Sequence, residues 1–243
     1  MHIIAIVQAR VGSTRLPGKI LKSIKGKVVL DYVFERLKLC KNINDLVLAT
    51  TIKKKDDVLE EYSQNRGITY FRGNENDVLN RYYHAAKKYG GDIIVRITSD
   101  CPLIDPNVVD RVIRKHIDNP VDYTSNTLQR TYPRGLDAEV FGFNALEVSY
   151  RNANKKYQRE HVTPYMWEQT DKFKIQNVEA KGKLKRPDLR LTLDTLEDFE
   201  LIKKIINHFD NIFFGTGDII DFLDKYPELL QINKFIGQKG LKE

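Results

Sequence analysis

The sequence predicts a three-layer α/β fold, a mostly parallel twisted sheet with helices on both faces. Three observations predict it. Short apolar runs alternate with longer amphipathic segments through the first 120 residues, the rhythm of strand–helix–strand units. The first run, His2 to Ala9, is almost continuously apolar, as in a strand covered on both faces. And 243 residues at 41% hydrophobic content suffice for a sizeable core.

The elements follow in order. Val29 to Leu39 has helical periodicity, with Leu30, Val33, Phe34 and Leu37 on one face. Leu46 to Thr51 reads as a second strand. Asp56 and Asp57 open a second helix, where acidic side chains suit the dipole, and Gly67 closes it. Ile68 to Phe71 is a third strand. Asn76 or Asp77 caps a third helix, which carries Val78, Leu79, Tyr82, Tyr83 and Ala86. "DIIVRIT", Asp92 to Thr98, is a fourth strand, and Pro106 starts a helix with Val108, Val109, Val112 and Ile113 inward.

After about residue 120 the rhythm changes. "YPRGLDAEVFGF" alternates like a strand. Asn144 to Arg151 and Glu160 to Gln169 read as helices, and "FKIQNVEA" and "LRLTLD" as strands with a basic turn between them. Thr195 to Phe209 is a strongly patterned helix, and a last one begins near Asp218. One domain over residues 1–243 is expected. It carries an irregular α+β insertion at about 121–185 and returns to the main sheet at Leu189.

Composition narrows the function. The formal charge of +7 suits an anionic partner or a merely Lys-rich surface. Two isolated cysteines, Cys40 and Cys101, argue against a disulfide scaffold or a zinc site. No signal-peptide pattern and no apolar run of membrane length occurs, so a cytoplasmic protein without a membrane partner is expected. "KKK" at 53–55 and "KGKLKR" at 181–186 lack the interleaved aromatics of a nucleic-acid platform, so they read as solvated turns.

"VQARVGSTRLPGKIL" leaves the first strand where α/β sheets bind ligands, beyond the carboxyl ends of the strands. Ala9 ends the strand. Gly12 lets the backbone approach a ligand, Ser13 and Thr14 offer hydroxyls, and Arg10, Arg15 and Lys19 offer charge for phosphate oxygens. The loop therefore reads as a phosphate cradle, although neither the P-loop spacing nor the GxGxxG fingerprint is present.

This loop resembles the signature loop of the sugar-acid cytidylyltransferases, which include the 3-deoxy-manno-octulosonate and acylneuraminate enzymes. "FRGNENDVLNRYYHAAKKY", "VRITSDCPLIDP", "YPRGLDAEVF", "REHVTPYMWE" and "LRLTLDTLEDF" extend the resemblance to about residue 225. They point to the branch named for spore coat polysaccharide biosynthesis protein F. The resemblance implies a nucleotide-diphospho-sugar transferase-like fold. It also implies transfer of CMP from CTP, or another NTP, to a sugar-acid-like acceptor with release of pyrophosphate, for glycan synthesis. A homodimer built through the insertion is a further implication.

Asp100 and Asp194 each follow an expected strand, and Mg²⁺ on a triphosphate needs one or two carboxylates. Asp194 has a second reading, as helix cap, because Asp194 and Glu197 match a capping spacing before an apolar run. The resemblance favours Mg²⁺ held by both aspartates, with Asp105 and Asp198 serving a turn and a helix start. Lys19 with Arg10 or Arg15 then offsets charge on the reacting phosphates.

Gly73 and the helix after it mark a nucleotide-side turn, and Arg81, one turn in, reaches the nucleotide or is solvated. Asp137 and Glu139 share one face of the expected strand, and with Arg134 they are assigned to the acceptor. Arg159 and His161 join them, and His161 is either a general base or a structural group. Two rivals are a nucleotide-sugar-dependent glycosyltransferase, which would usually want a close Asp-x-Asp pair, and a non-catalytic nucleotide-binding module.

Overall fold

The computed structural model describes residues 1–238 and 240. Nine strands and nine α-helices occur among them. The chain runs β1 (Ile3–Gln8), a small hairpin β2 (Ser23–Ile24) and β3 (Lys27–Val28), α1 (Val29–Leu37), β4 (Asp45–Thr51), α2 (Asp57–Asn65) and β5 (Thr69–Gly73). It continues with α3 (Val78–Lys88), β6 (Ile93–Thr98), α4 (Pro106–Asp118), β7 (Tyr123–Ser125) and β8 (Glu139–Gly142). Then come α5 (Phe143–Asn152), α6 (Lys156–His161), α7 (Pro164–Glu168), β9 (Ile175–Asn177), α8 (Leu196–His208) and α9 (Thr216–Lys225).

Seven strands form the main sheet in the order β5-β4-β1-β6-β8-β7-β9. The pairs from β5 to β6 are parallel, and β8 runs antiparallel to both its neighbours. Alternation within β1 explains the three layers. Ile3, Ala5 and Val7 enter the core beneath α1, α2 and α4, while Ile4 and Ile6 enter the one beneath α3 and α5. A third apolar cluster joins α8 and α9 to the hairpin and to Leu189, Leu191 and Leu193. Asp77 caps α3 through Asn80 N at 2.9 Å, and Asp105 caps α4 through Asn107 N at 2.9 Å. Among the described residues no helix is long and apolar enough to cross a membrane.

The second half corrects three expectations. "LRLTLD" is not a strand, since among the described residues its only sheet-like contact is one bridge from Arg190 to Arg134. Its leucines alternate because they pack under α8 and α9, so the chain does not rejoin the main sheet at Leu189. The expected strand from Tyr132 begins only at Glu139. Finally, the expected helix over Glu160 to Gln169 is two short helices broken at Val162, whose φ is +72°.

Candidate active site

The loop after β1 is shaped from below. Val11 N donates to Asp56 Oδ1 at 2.7 Å, and the fully buried Asp56 also accepts the Thr51 hydroxyl. Ser13 N and Gly18 N both donate to Val11 O, closing the loop on itself. Gly18 adopts φ +65°, which turns the chain into a short 3₁₀ segment over Lys19–Leu21. Ile20 is buried in the core under α1, and this anchors Lys19 beside it at the crevice.

Lys19 Nζ has three acceptors. They are Asp100 Oδ2 at 3.1 Å, Asp194 Oδ1 at 2.8 Å and Leu193 O at 2.6 Å. An ammonium has three protons, so this group is fully engaged. The backbone enforces the meeting: Leu193 N donates to Asp100 O at 2.8 Å, holding residues 193 and 194 against the end of β6. Asp194 also pairs with Arg15 at 2.8 Å and Arg190 at 2.9 Å. Burial pulls the Lys19 pKa down, but the two carboxylates outweigh it and hold the ammonium above its ordinary value. Burial likewise raises Asp194, yet Lys19, Arg15 and Arg190 hold its carboxyl below the usual range.

The capping alternative for Asp194 is settled by its neighbours. Thr195 is the N-cap of α8, accepting from Asp198 N, while Asp198 Oδ2 accepts from Thr195 N and Asp194 N. Asp198 therefore serves the helix start, and the Asp194 carboxylate faces the crevice. Gly135 completes the local geometry. Its φ is +100°, and a Cβ there would lie 2.6 Å from Leu191 C and O. Arg134 and Leu189–Leu191 exchange backbone hydrogen bonds of 2.9 and 2.7 Å across this contact.

On the nucleotide side, Ala9 N is tied to Ala49 O at 3.1 Å, and Gly12 passes so close to Lys55 that a Cβ would meet its Nζ at 2.8 Å. Ser13 Oγ accepts from Leu16 N at 3.5 Å, and Thr14 is exposed. Arg10 is 47% exposed, and among the described residues its one ion-pair partner is Glu75, at 3.8 Å. Gly73 ends β5, and a Cβ there would lie 2.7 Å from Arg81 Cγ. Arg81 differs from expectation: it is 2% exposed, and its Nη1 donates to Asn74 O at 2.6 Å and Glu75 O at 3.2 Å. It shapes the turn from within.

On the acceptor side, Asp137 and Glu139 part company. Asp137 accepts a bidentate pair from Arg130 at 2.6 and 2.9 Å, while Glu139 pairs with Arg96 at 3.1 Å. Each carboxylate therefore has its own arginine, and the two do not share the strand face expected of them. Arg134 is half-buried, and among the described residues its guanidinium has no hydrogen-bond or ion-pair partner. Burial and the nearby Arg130 lower its pKa. Arg159 binds Asp77 at 2.5 Å and Tyr150 O at 2.7 Å, linking α6 to the cap of α3 rather than standing free. His161 ends α6, and its carbonyl accepts from Thr163 N at 2.9 Å.

Sequence reasoning missed Arg96 and Arg190. Each interrupts an apolar run, and a charge in such a run needs a buried partner. That anomaly was the available signal.

Mg²⁺ fits this donor set. Among the described residues no group of three or more acidic, histidine or cysteine side chains gathers. Two carboxylates do share a cation, the Lys19 ammonium, and Mg²⁺ with triphosphate oxygens needs no more than one or two.

A family model described as "Cytidylyltransferase" matches residues 4–223. The chain is 36% identical over 232 residues to the spore coat polysaccharide biosynthesis protein SpsF of Bacillus subtilis, covering 93% of this chain and 95% of that one. It is 31% identical over 121 residues to a 3-deoxy-manno-octulosonate cytidylyltransferase of Trichlorobacter lovleyi, about half of each chain. The solved structure of a cytidylyltransferase from Leptospira borgpetersenii superposes with a TM-score of 0.91 at 39% identity, over 98% of this chain and 100% of that one. Matched by that family model over most of its length, and by the Bacillus and Leptospira relatives over nearly all of it, the chain belongs to the cytidylyltransferase family.

Proposed function

We propose that this protein transfers CMP from CTP to a hydroxyl of a sugar acid, releasing pyrophosphate, for surface glycan synthesis. The observation that carries the reading is the convergence of Lys19, Asp100 and Asp194 at the end of the β1 loop. The relatives named for spore coat polysaccharide and 3-deoxy-manno-octulosonate chemistry support the substrate class. Mg²⁺ held by Asp100 and Asp194 would supply charge neutralisation at the triphosphate.

The chain's own groups do the rest. The loop from Ala9 to Lys19 receives the triphosphate, and Arg10, held by Glu75 only at 3.8 Å, turns to meet it. Lys19 and Arg15 leave the aspartates for phosphate oxygens and stabilise charge on the α-phosphate and the departing pyrophosphate. The unpartnered Arg134 takes the acceptor carboxylate as a bidentate partner. This places the acceptor hydroxyl for in-line attack on the α-phosphorus: the new oxygen–phosphorus bond forms as the bond to the bridging oxygen of pyrophosphate breaks, and the hydroxyl proton passes to solvent. Positioning and electrostatics are the main demands of such a transfer. A homodimer belongs to the same reading and would show as twice the chain mass in sedimentation.

The test is pyrophosphate release across a matrix of four nucleoside triphosphates and a panel of sugar acids. CTP with at least one sugar acid should react. Consumption of a nucleotide sugar instead would favour a glycosyltransferase, and silence throughout would leave a nucleotide-binding module.

A further inference from the structure

Arg96 stands in the middle of β6, a strand covered on both faces. Register places it opposite Glu139 on β8, and its Nη1 donates to Glu139 Oε2 at 3.1 Å. Both side chains are 12% exposed. On the same face lie Gln8, at the end of the adjoining β1, and Tyr123 of β7, whose register partner Phe141 is two residues from Glu139. Arg96 Nε, Gln8 Oε1 and the Tyr123 hydroxyl are three of the five buried side-chain polar atoms without a well-formed hydrogen bond among the described residues, the Tyr123 hydroxyl having only the Ser125 and Thr163 hydroxyls near it. Such orphans are rare and costly, so three on one patch of sheet call for a common cause.

A strained turn adjoins them. Thr163 Oγ1 donates to Glu139 Oε2 at 2.9 Å. The residue before it, Val162, has φ +72° and ψ −57°, with Thr163 N bonded to His161 O at 2.9 Å. This is the γ-turn of positive φ, which is rare and strained, and for a β-branched residue a true outlier. Val162 is completely buried among the residues beneath α3 and α5, which hold it there. Strain of this kind collects at ligand clamps.

Resting on the reading that the protein is a sugar-acid cytidylyltransferase, we propose that Gln8, Arg96, Tyr123, Glu139 and Thr163 form a subsite for the hydroxyl-bearing chain of the acceptor. The atoms on offer are mixed. Arg96 Nε donates, Gln8 Oε1 accepts, and the Tyr123 hydroxyl does either, as a substrate hydroxyl also does. An apolar chain would leave all three orphaned. A second carboxylate would meet Glu139, which already balances Arg96. The acceptor carboxylate belongs instead on Arg134, whose charge is unanswered. Gln8, Arg96 and Glu139 are the part of the cluster open to solvent, and relief of the turn at Val162 admits the acceptor to Tyr123 and Thr163 behind them.

Tyr123→Phe and Gln8→Met in the full chain test this, with 3-deoxy-manno-octulosonate and N-acetylneuraminate as probes. Each variant should raise the KM of whichever acid the wild type uses by about tenfold. The KM for CTP should stay within twofold, and the ligand-free Tm should equal or exceed that of the wild type, because an orphaned group has been removed. An unchanged acceptor KM, or a Tm lower by several degrees, overturns the subsite. If the wild type releases no pyrophosphate with either acid, the sugar-acid reading fails for these acceptors. The subsite is then judged on Tm alone, where a fall overturns it and an equal or higher value supports it.

Discussion

Replacing Lys19 with methionine keeps an apolar stem of similar length and removes the ammonium from between two carboxylates. Lys19 and Asp194 are each 12% exposed and Asp100 is 26% exposed. Breaking a fully buried ion pair costs about 3–5 kcal/mol, and an exposed one about 0–1 kcal/mol. Here Asp194 keeps Arg15 and Arg190, so the loss should fall between these limits, at about 2 kcal/mol. For a chain of this size that is a fall in Tm of roughly 4–8 °C. Mg²⁺ should then recover part of it, because the two carboxylates face each other without their resident cation. At ten times its dissociation constant the metal would return about 1.4 kcal/mol. The assay is thermal melting of wild type and variant in 10 mM MgCl₂ against NaCl of matched ionic strength. The wild type, with Lys19 in place, should respond less. Turnover of the variant should drop on the order of a hundredfold or more. A variant that melts like the wild type and ignores Mg²⁺ would refute the shared-cation geometry, and one with normal turnover would remove Lys19 from the reaction.

Two further outcomes follow from the same geometry. Gly135→Ala combines a left-handed φ with a Cβ 2.6 Å from backbone atoms of Leu191, so it should cost about 3 kcal/mol or more in urea unfolding. An unshifted midpoint would show that the 134–135 and 189–191 segments do not approach so closely. Asp194, whose pKa is depressed in the folded chain, contributes stability that is complete above the ordinary aspartate value near 3.9. That contribution disappears as pH falls through the lower, folded value. The gap in stability between wild type and Asp194→Asn should accordingly narrow on acidification across this window, and a gap independent of pH would count against the ion cluster.

Much of the first half was legible because local patterns carried it. The alternation within β1, the caps at Asp77 and Asp105 and the apolar stripe of α1 each depend on neighbours a few residues apart. The same logic failed at "LRLTLD". There alternate burial reported which side chains point inward but not whether a partner backbone runs alongside. Asp137 and Glu139 also looked like one charged face, yet the strand starts between them and each found its own arginine. The sequence offers Arg81 to the nucleotide or to solvent, and Arg159 to the acceptor. Their partners are Asn74 O, Glu75 O and Asp77 in a turn that only the folded chain builds.

The sequence by itself determined the layered α/β frame, the basic loop at the end of the first strand and the pair of aspartates worth watching. These depend on spacing along a few residues, which chemistry and period reveal directly. Tertiary structure alone decided that Lys19 would sit between Asp100 and Asp194, that Arg96 would answer Glu139, and that Arg134 would find no hydrogen-bond or ion-pair partner among the described residues. Such meetings join positions far apart in the chain through strand register and one close backbone crossing at Gly135, and no local pattern encodes either.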